Sequence, residues 1–538
     1  MNDADATRII RPGQQSGSPP ADEERGQLTD ELIATSIWDD DMLARAGIPI
    51  DQAPIVSIGG GLGSFALVDT LRIAGVDTSS IRVITNLDRP SDTYRWLAGN
   101  SQIPEGERLR SDAGSVMDNV WGFPSYAWRE SRTASSLSKR LAPLWNVLAE
   151  PFGIDYWTPR AGDVYDGVDR EAVRISWADM VTKGLVRMVR RHRGGGFVTL
   201  YTPDGATPGQ RRAIRSQHVH VAVGYPGLKF LPDLQAYREA HSDFSRVVNA
   251  YEPHDHVYEE LRRSPGTVLV RGSGIVGSRV LQRLLDDRDA GLADTTVIHL
   301  FRNYVDSPQG EKITYRRPGG DGFAYQGFNF PKSAWGGQLK VKLEELEGPE
   351  RADLIRTMGG TNTPKRKSWQ VQIKRARSHD AYRQIVGQVS EVRQGPNQTV
   401  VTEVDTQNGR LELPANFIID ATGLEADIGE HRVLADLLEH SGANRNAYGR
   451  LDVAPSFEVR GTRSDRGRCY ATGSITLGGY YAGVDSFLGL QYAALQIADD
   501  LAAAGSVPRI GPRRSVGEWW RRMRDRPPAP GTSTGAAS

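Results

Sequence analysis

One pattern constrains this chain more than any other: an apolar strand that runs through glycines into a helix, and it occurs twice. Ile55–Ile58 leads into GGGLGS, whose key positions are Gly59, Gly61 and Ser64. Thr267–Arg271 leads into GSGIVG, whose key positions are Gly272, Gly274 and Gly277. In such units the first glycine permits the turn, the second admits a pyrophosphate, and the third packs helix against strand. Each copy alone is also compatible with a plain glycine turn, but two together favour two dinucleotide-binding folds.

Each copy has one unusual position beyond the glycines. In the first, Ser64 stands where glycine is usual, and Asp88, the acid expected to bind a ribose, comes two places late after the strand Ile81–Thr85. In the second, Arg302 follows the strand Thr296–Phe301 in the place of that acid. A cation there favours the 2′-phosphate of NADPH over NADH. The alternative is an arginine that is simply solvated at a strand end.

Composition narrows the functional classes. A chain of 538 residues predicts at least two domains. Its 66 basic residues equal its 66 acidic ones, which removes the electrostatic motive for binding nucleic acid or an anionic membrane. The lone cysteine, Cys469, excludes a disulfide framework or a redox CxxC pair. With no long apolar run and no signal-peptide pattern at the N-terminus, the chain is predicted to be cytoplasmic.

Two later junctions repeat the idea of a strand that ends at a small residue and a glycine. They are Ala421-Thr422-Gly423 and Ala471-Thr472-Gly473. The second is followed by a glycine-rich loop that enters a long helix just after Asp485 and Ser486. The start of such a helix can direct its dipole at a flavin ring or its phosphates.

The order of these motifs resembles the two-dinucleotide-binding flavoprotein superfamily. Within it, the chain is most similar to the single-component, NADPH-dependent flavin monooxygenases, which include flavin-containing, Baeyer–Villiger and amine N-hydroxylating members. The resemblance covers about residues 54–505 and implies FAD at the first glycine turn and NADPH at the second. It also implies crossovers at Ala222–Pro226 and Ala421–Gly423 and places Gly473 at the flavin edge. The first crossover reads AVG where the family often has ATG, and the histidine fingerprint of many members is not legible.

The predicted fold class is therefore α/β, with two Rossmann-like domains: a discontinuous FAD domain and an inserted NADPH domain. The predicted division has five parts. They are a disordered leader (1–27), the first part of the FAD domain (28–224), the NADPH domain (225–415) with a substrate-pocket insertion at about 305–385, the second part of the FAD domain (416–506), and a flexible tail (507–538).

Four residues are candidates for groups around the flavin edge: Asn329, Thr422, Asp485 and Ser486. Asn329 lies in FNFPK, which loosely resembles a substrate-proximal segment of the N-hydroxylating relatives; the alternative is a packed loop between domains. No metal is predicted, because the run His254-Asp255-His256 has no further ligand beside it and is better explained by hydrogen-bonded loop histidines.

The function that the resemblance implies is an FAD-dependent, NADPH-consuming monooxygenase that forms a flavin C4a-(hydro)peroxide and oxygenates nitrogen, sulfur or a carbonyl carbon. One alternative is an NAD(P)H dehydrogenase or oxidase; another is a non-catalytic flavin-bound redox sensor. The expected partners are a small molecule and O2, with neither nucleic acid nor membrane, and self-association is left open. For GEWWRRMRDR in the tail, a helix packed on the protein or solvated is favoured over one on a membrane surface.

Overall fold

The structure is a computed structural model that describes residues 28–109, 117–149, 157–207, 209–307, 320–323, 325, 335–358, 367–425 and 427–531. The predicted leader at 1–27 therefore lies outside the described residues. The helices are α1 Asp30–Ala34, α2 Asp40–Arg45, α3 Leu62–Ala74, α4 Asp92–Asn100, α5 Ser125–Thr133, α6 Leu137–Ala149, α7 Ala161–Arg174, α8 Trp177–Met180, α9 Pro232–His241, α10 Asp255–Arg263, α11 Ile275–Asp289, α12 Gln338–Glu345, α13 Gly348–Met358, α14 Lys367–Ser378, α15 Arg432–His440, α16 Phe487–Ala503 and α17 Pro512–Arg522. The strands are β1 Ile37–Trp38, β2 Ile50–Gln52, β3 Ile55–Ile58, β4 Ile81–Thr85, β5 Val181–His192, β6 Phe197–Pro203, β7 Arg212–Ser216, β8 His218–Val221, β9 Gly227–Leu228, β10 Val247–Asn249, β11 Gly266–Arg271, β12 Thr295–Phe301, β13 Tyr382–Val386, β14 Gln388–Gln394, β15 Val400–Thr406, β16 Gly409–Ala415, β17 Phe417–Asp420, β18 Leu424–Glu425 and β19 Arg468–Ala471.

The first sheet carries the first glycine turn. Its strands follow the order β19-β8-β3-β4-β5-β6-β7-β2, with β1 beside β5. The pairs from β19 to β5 are parallel, whereas β5, β6 and β7 form an antiparallel meander. All four residues of β3 are buried, as expected for a central parallel strand with both faces covered. On one face, α3 packs with α16 in a shared apolar core.

The second sheet repeats this topology around the second glycine turn. Its order is β10-β17-β11-β12-β13, and every pair in it is parallel. A separate antiparallel meander of β14, β15 and β16 precedes β17, as the meander of β5 to β7 precedes β8. The same arrangement thus occurs twice, and the predicted α/β class with two Rossmann-like domains is confirmed.

One predicted boundary needs correction. The second part of the FAD domain was expected to begin at residue 416, but β17 pairs with β11 and β10 inside the second sheet. The chain therefore leaves that sheet only after Asp420. Just beyond each crossover, β9 and β18 pair as a short antiparallel ribbon that holds the two connections side by side.

The C-terminal segment also differs from the flexible tail predicted from residue 507. Helix α17 buries Glu518 and Arg522 against the first domain, and the Arg522 guanidinium lies 2.9 Å from Asp118 Oδ2. Farther on, the Gly531 amide donates a 3.1 Å hydrogen bond to the Gly75 carbonyl. Two charged residues of this segment, Glu518 and Arg522, are thus buried against the protein, which a composition rich in Pro and Arg does not reveal. None of the helices in the described part of the chain is both long and apolar enough to cross a membrane.

Candidate functional site

The first glycine turn has a backbone that only glycine can adopt at its first position. Gly59 has a φ of +116°, and a Cβ there would stand 2.3 Å from the carbonyl oxygen of Ala222. The unusual Ser64 is accommodated because its hydroxyl, buried beneath the turn, accepts a 3.1 Å hydrogen bond from the Gly60 amide. Serine therefore serves the third position by bonding to the turn.

The second turn is built in the same way. Gly272 has a φ of +121°, and its Cβ would stand 2.3 Å from the carbonyl oxygen of Ala421. A Cβ on Gly277 would stand 2.2 Å from the Gly272 carbonyl oxygen, so this third position requires glycine. Each turn is thus pressed against the residue at which one crossover begins.

The middle glycines differ from their neighbours because they face open space. No atom lies within 4 Å of a Cβ placed on Gly61 or Gly274. Each is the N-cap of its helix, α3 or α11, and neither helix start has a capping side chain. The first backbone N–H groups of both helices therefore need an acceptor from outside, and a pyrophosphate fits both the space and the charge.

Both turns open on one cavity of about 1410 Å³. Its volume suits two dinucleotides and a small molecule better than a single ligand, since drug-sized pockets usually measure about 300–1,000 Å³. The sequence-predicted residues that line it are Gly59, Gly61, Gly272, Gly274, Arg302, Thr422, Gly423, Gly473, Asp485 and Ser486. Ser64 and Gly277 support the turns from behind, and Asn329 lies outside the described residues.

Asp88 does not line the cavity. Its exposed carboxylate pairs with the Lys183 ammonium at 2.9 Å, while the preceding Leu87 does line the cavity. The late position of Asp88 after β4 thus places it beyond the wall. Its assignment to a ribose stays a prediction that this geometry does not support.

Arg302 follows β12 at the cavity wall near the second turn, and its side chain is exposed. No carboxylate of the described chain forms an ion pair with it, so its charge is available to a ligand. The neighbouring wall is formed by Gly387, Gln388 and Val389 at the start of the meander.

Thr422 is held by the strand that precedes it. Its hydroxyl donates a 2.6 Å hydrogen bond to Asp420 Oδ1, which also accepts the Thr422 amide at 3.0 Å. The other oxygen, Asp420 Oδ2, accepts the Leu231 amide at 2.8 Å. Asp420 thus fixes the second crossover. The Thr422 hydroxyl is already bonded to Asp420, so Thr422 contributes mainly its backbone to the cavity wall.

The Ser486 hydroxyl, like that of Thr422, is bonded to neighbouring parts of its own chain. Ser486 is the N-cap of α16, where its hydroxyl accepts the Gly489 amide at 3.1 Å and donates to the Gly483 carbonyl at 2.6 Å. These bonds explain why a serine begins this helix. The Ser486 hydroxyl therefore already donates one hydrogen bond and accepts another within the cavity wall.

Asp485 differs from the other two carboxylates of the cavity wall in the kind of partner that it has. The other two, Glu107 and Asp233, are paired with Arg279 and Arg271. Among the residues that the structure describes, Asp485 has no such ion pair. Its Oδ2 instead accepts a 2.6 Å hydrogen bond from the Tyr225 hydroxyl.

Tyr225 was not predicted as a site residue, although it stands in the crossover segment AVGYP. Burial and the neighbouring Asp485 carboxylate raise the pKa of its phenol well above the ordinary value. It therefore stays protonated and acts as a donor to Asp485. Only its place in the crossover could have signalled this role.

Two buried histidines behind the turns also escaped prediction. His220 lies between the Ser57 hydroxyl at 3.0 Å and the Thr472 hydroxyl at 2.9 Å, and burial lowers its pKa to about 3. His299 bridges the Gly272 carbonyl at 2.9 Å and the Tyr382 hydroxyl at 2.8 Å, and burial lowers its pKa to about 4. Both rings are neutral connectors. The His299 ring bonds to the second glycine turn itself, whereas the His220 ring joins β3, just before the first turn, to Thr472.

His254 and His256 are hydrogen-bonded to the protein. The His254 ring contacts the Glu252 carbonyl at 2.7 Å and the Tyr258 hydroxyl at 3.0 Å, and the His256 ring lies 2.8 Å from the Ser245 carbonyl. Across the described ranges, no three His, Cys, Asp or Glu side chains cluster as metal ligands would.

Part of the cavity wall is formed by the helical insertion after the second domain's β12. Ile355 and Met358 of α13 pack with Ala482 from the loop before α16, and Trp335 stands beside them. This wall is apolar and joins both domains. Its helical part lies within the predicted pocket insertion of 305–385, whose FNFPK segment falls outside the described residues.

The chain was compared with known protein families, curated sequences and solved structures. No family model and no curated protein sequence matches the chain, but solved structures do. An ornithine N-hydroxylase from Kutzneria sp. 744 has a TM-score of 0.59 at 14% identity and covers 85% of this chain and 100% of its own. A cadaverine monooxygenase of desferrioxamine biosynthesis from Erwinia amylovora has a TM-score of 0.60 at 12% identity, covering 85% and 96%. An L-lysine 6-monooxygenase from Pseudomonas syringae has a TM-score of 0.57 at 15% identity, covering 84% and 99%. The chain therefore has the two-domain fold of the flavin monooxygenases, and the resemblance is confirmed at the level of fold.

Proposed function

We propose that the protein is an FAD- and NADPH-dependent monooxygenase that oxygenates the nitrogen of a small amine. The observation that carries this is that two glycine turns of one construction, each with an uncapped helix start, open on the same cavity. Residues around Gly61 would hold FAD, and residues around Gly274, with Arg302, would hold NADPH. When bound, these cofactors supply the redox chemistry: hydride from the nicotinamide and reaction of the reduced flavin with O2.

The chain's own contribution is binding, orientation and exclusion of water. The apolar residues Ile355, Met358 and Trp335 form a part of the cavity wall to which both domains contribute. Such a wall would keep water from the place where the reduced flavin reacts with O2, so that oxygen is directed to the substrate and not released as hydrogen peroxide. Because the bound cofactors would supply the redox chemistry, the wall needs no acid–base triad.

Nitrogen is favoured over sulfur or a carbonyl carbon because of Asp485. A carboxylate that forms no ion pair among the described residues, aligned by the Tyr225 hydroxyl, can bind the ammonium group of an amine and accept the proton that must leave before the nitrogen lone pair can react. The relatives in fold are described as acting on ornithine, cadaverine and lysine, which are all amines. A sulfide or ketone would leave this carboxylate facing a ligand with no donor.

The test is anaerobic reduction by NADPH followed by mixing with O2, in the presence of amines, sulfides and ketones. We expect the purified protein to be yellow and NADPH to bleach it. O2 should then give a transient that absorbs to the blue of oxidised flavin, and an amine should be converted to its hydroxylated product. Direct return to oxidised flavin with stoichiometric hydrogen peroxide under every condition would favour a dehydrogenase or oxidase. A flavin that NADPH does not bleach would favour a redox sensor.

A further inference from the structure

Helix α6 carries an exposed apolar stripe. Leu137, Leu141, Trp145 and Leu148 follow one another at spacings of four, four and three residues, which places them on one side of the helix. Their exposed fractions range from 56% to 73%. The opposite side is held to the protein at Pro143, which is buried.

The stripe is as large as the apolar patches that mark interaction sites. Four such side chains expose roughly 500 Å² of apolar area, given their exposed fractions and about 150–250 Å² for a large apolar side chain. The largest apolar patch of a typical monomer measures about 300–600 Å² and is often functional. Two copies of the stripe packed together would remove about 1,000 Å² from water, which is the size at which specific interfaces begin.

Its charges argue against a lipid surface. The helix has two charged residues, Lys139 and Arg140, and no acid. Lys139 lies on the side away from the stripe at helical spacing, and the Arg140 guanidinium donates a 3.0 Å hydrogen bond to the Ala134 carbonyl. Interfacial helices instead border their apolar face with free basic side chains. The stripe itself has no charge, so its best partner is another uncharged apolar stripe.

The spacing is nearly symmetric about the middle of the helix. If a second copy approaches with its α6 antiparallel, Leu137 faces Leu148 of the partner subunit, and Leu141 faces Trp145 of the partner subunit. Such self-complementarity is the requirement of an isologous two-fold interface. We propose that the protein is a two-fold assembly whose subunits pack through the α6 stripe, and this proposal stands apart from the cofactors.

Sedimentation equilibrium of the full-length, flavin-loaded protein tests it. At tens of micromolar, the wild type should have at least twice the chain mass of 59.1 kDa. The double variant Leu141→Glu/Trp145→Glu should raise the dissociation constant at least about 100-fold, since it removes two central apolar contacts and places four like charges together. Val173→Glu is the matched control, because Val173 is 81% exposed on α7 and away from the stripe; it should leave the mass unchanged.

A charge exchange tests the orientation. In the antiparallel arrangement, Leu137→Lys with Leu148→Glu places opposite charges across the interface and should retain the assembly. Leu137→Glu with Leu148→Glu places like charges together and should separate it. Equal masses for these two variants would overturn the antiparallel packing.

Other outcomes would overturn the proposal as a whole. These are a monomeric wild type, or an assembly whose mass the double variant does not change while its flavin content and melting temperature remain normal. A monomer that sediments with phosphatidylglycerol vesicles, and loses this property in the double variant, would assign the stripe to a membrane. If the double variant does not fold, the masses of the two variants at the helix ends, Leu137 and Leu148, test whether the subunits pack through the stripe.

Discussion

The Tyr225 hydroxyl donates a 2.6 Å hydrogen bond to Asp485 Oδ2, across 260 residues of sequence. Tyr225 belongs to the first crossover, whereas Asp485 immediately precedes the N-cap of α16. The bond therefore ties the place where the chain leaves the first domain to the loop that closes it after the return. Both side chains contribute to the wall of one cavity.

If Asp485 holds the substrate ammonium, Asp485→Asn should raise the KM for the amine roughly 10- to 100-fold, which corresponds to the loss of a hydrogen bond to a charged group. Tyr225→Phe should have a smaller effect in the same direction, because the carboxylate remains but is no longer aligned. Steady-state kinetics at saturating NADPH measure this. Asp499→Asn, an exposed aspartate on α16, is the control; an equal effect there, or an unchanged KM for Asp485→Asn, would contradict the role.

The two middle glycines offer a reciprocal experiment. Gly61→Glu should abolish FAD binding with the fold retained, because its side chain enters open space and its charge repels a pyrophosphate. Gly274→Glu should retain FAD and lose NADPH. Flavin content and NADPH titration measure the two losses. Loss of the same cofactor in both variants would contradict the assignment of one turn to each.

Arg302→Ala should raise the KM for NADPH about 10-fold or more, with little change in kcat, since the phosphate contact is common to the ground and transition states. The KM for NADH should stay the same, so the coenzyme preference narrows. Arg302→Lys, which keeps the charge, should retain most of the preference. If Arg302→Ala leaves the preference for NADPH over NADH unchanged, Arg302 is a solvated residue at a strand end and does not bind the phosphate.

His299 predicts a dependence of stability on pH. Its pKa is about 4 in the folded chain against an ordinary 6.5, so the unfolded state binds a proton first as the pH falls. Above pH 6.5 the His299 ring is neutral in both the folded and the unfolded chain, and the folded state keeps its full stability. As the pH falls from 6.5 to 4, protonation of this ring in the unfolded chain lowers the free energy of unfolding. From pH 7.5 to pH 5, wild type should lose about 2 kcal/mol more unfolding free energy than His299→Gln, measured by urea denaturation. Parallel losses in the two proteins would show that another group dominates.

The C-terminal helix should be necessary for the stability of the first domain. Arg522→Ala leaves the buried carboxylate of Asp118 without its cation, while Glu171 keeps its ion pair with Arg174, and the loss should cost about 3–5 kcal/mol of unfolding free energy. Arg513→Ala, an exposed arginine of α17, should change it by less than about 0.5 kcal/mol. Chemical denaturation compares them, and equal stability of the two variants would mean that α17 is docked by its apolar contacts alone.

The parts of the candidate site that the sequence could locate are local. Gly59, Gly61, Gly272 and Gly274 need no distant information, because a positive φ or an uncapped helix start is decided within a few residues. Their recurrence was enough to predict the fold class. The sequence did not reveal the partners of three candidate residues. Asp88 pairs with Lys183, the Thr422 hydroxyl bonds to the Asp420 carboxylate, and the Ser486 hydroxyl bonds to the backbone at the start of α16.

The two strand–turn–helix units and the starts of their helices can be predicted from the amino-acid sequence alone, because backbone conformation and apolar periodicity are short-range properties. Folding brings both turns to one cavity, pairs Asp485 with Tyr225 and Glu107 with Arg279, and docks α17 on the first domain. Periodicity tells which face of an element is covered, but it does not tell which distant side chain covers it. That depends on how the two crossovers bring separate stretches of chain together.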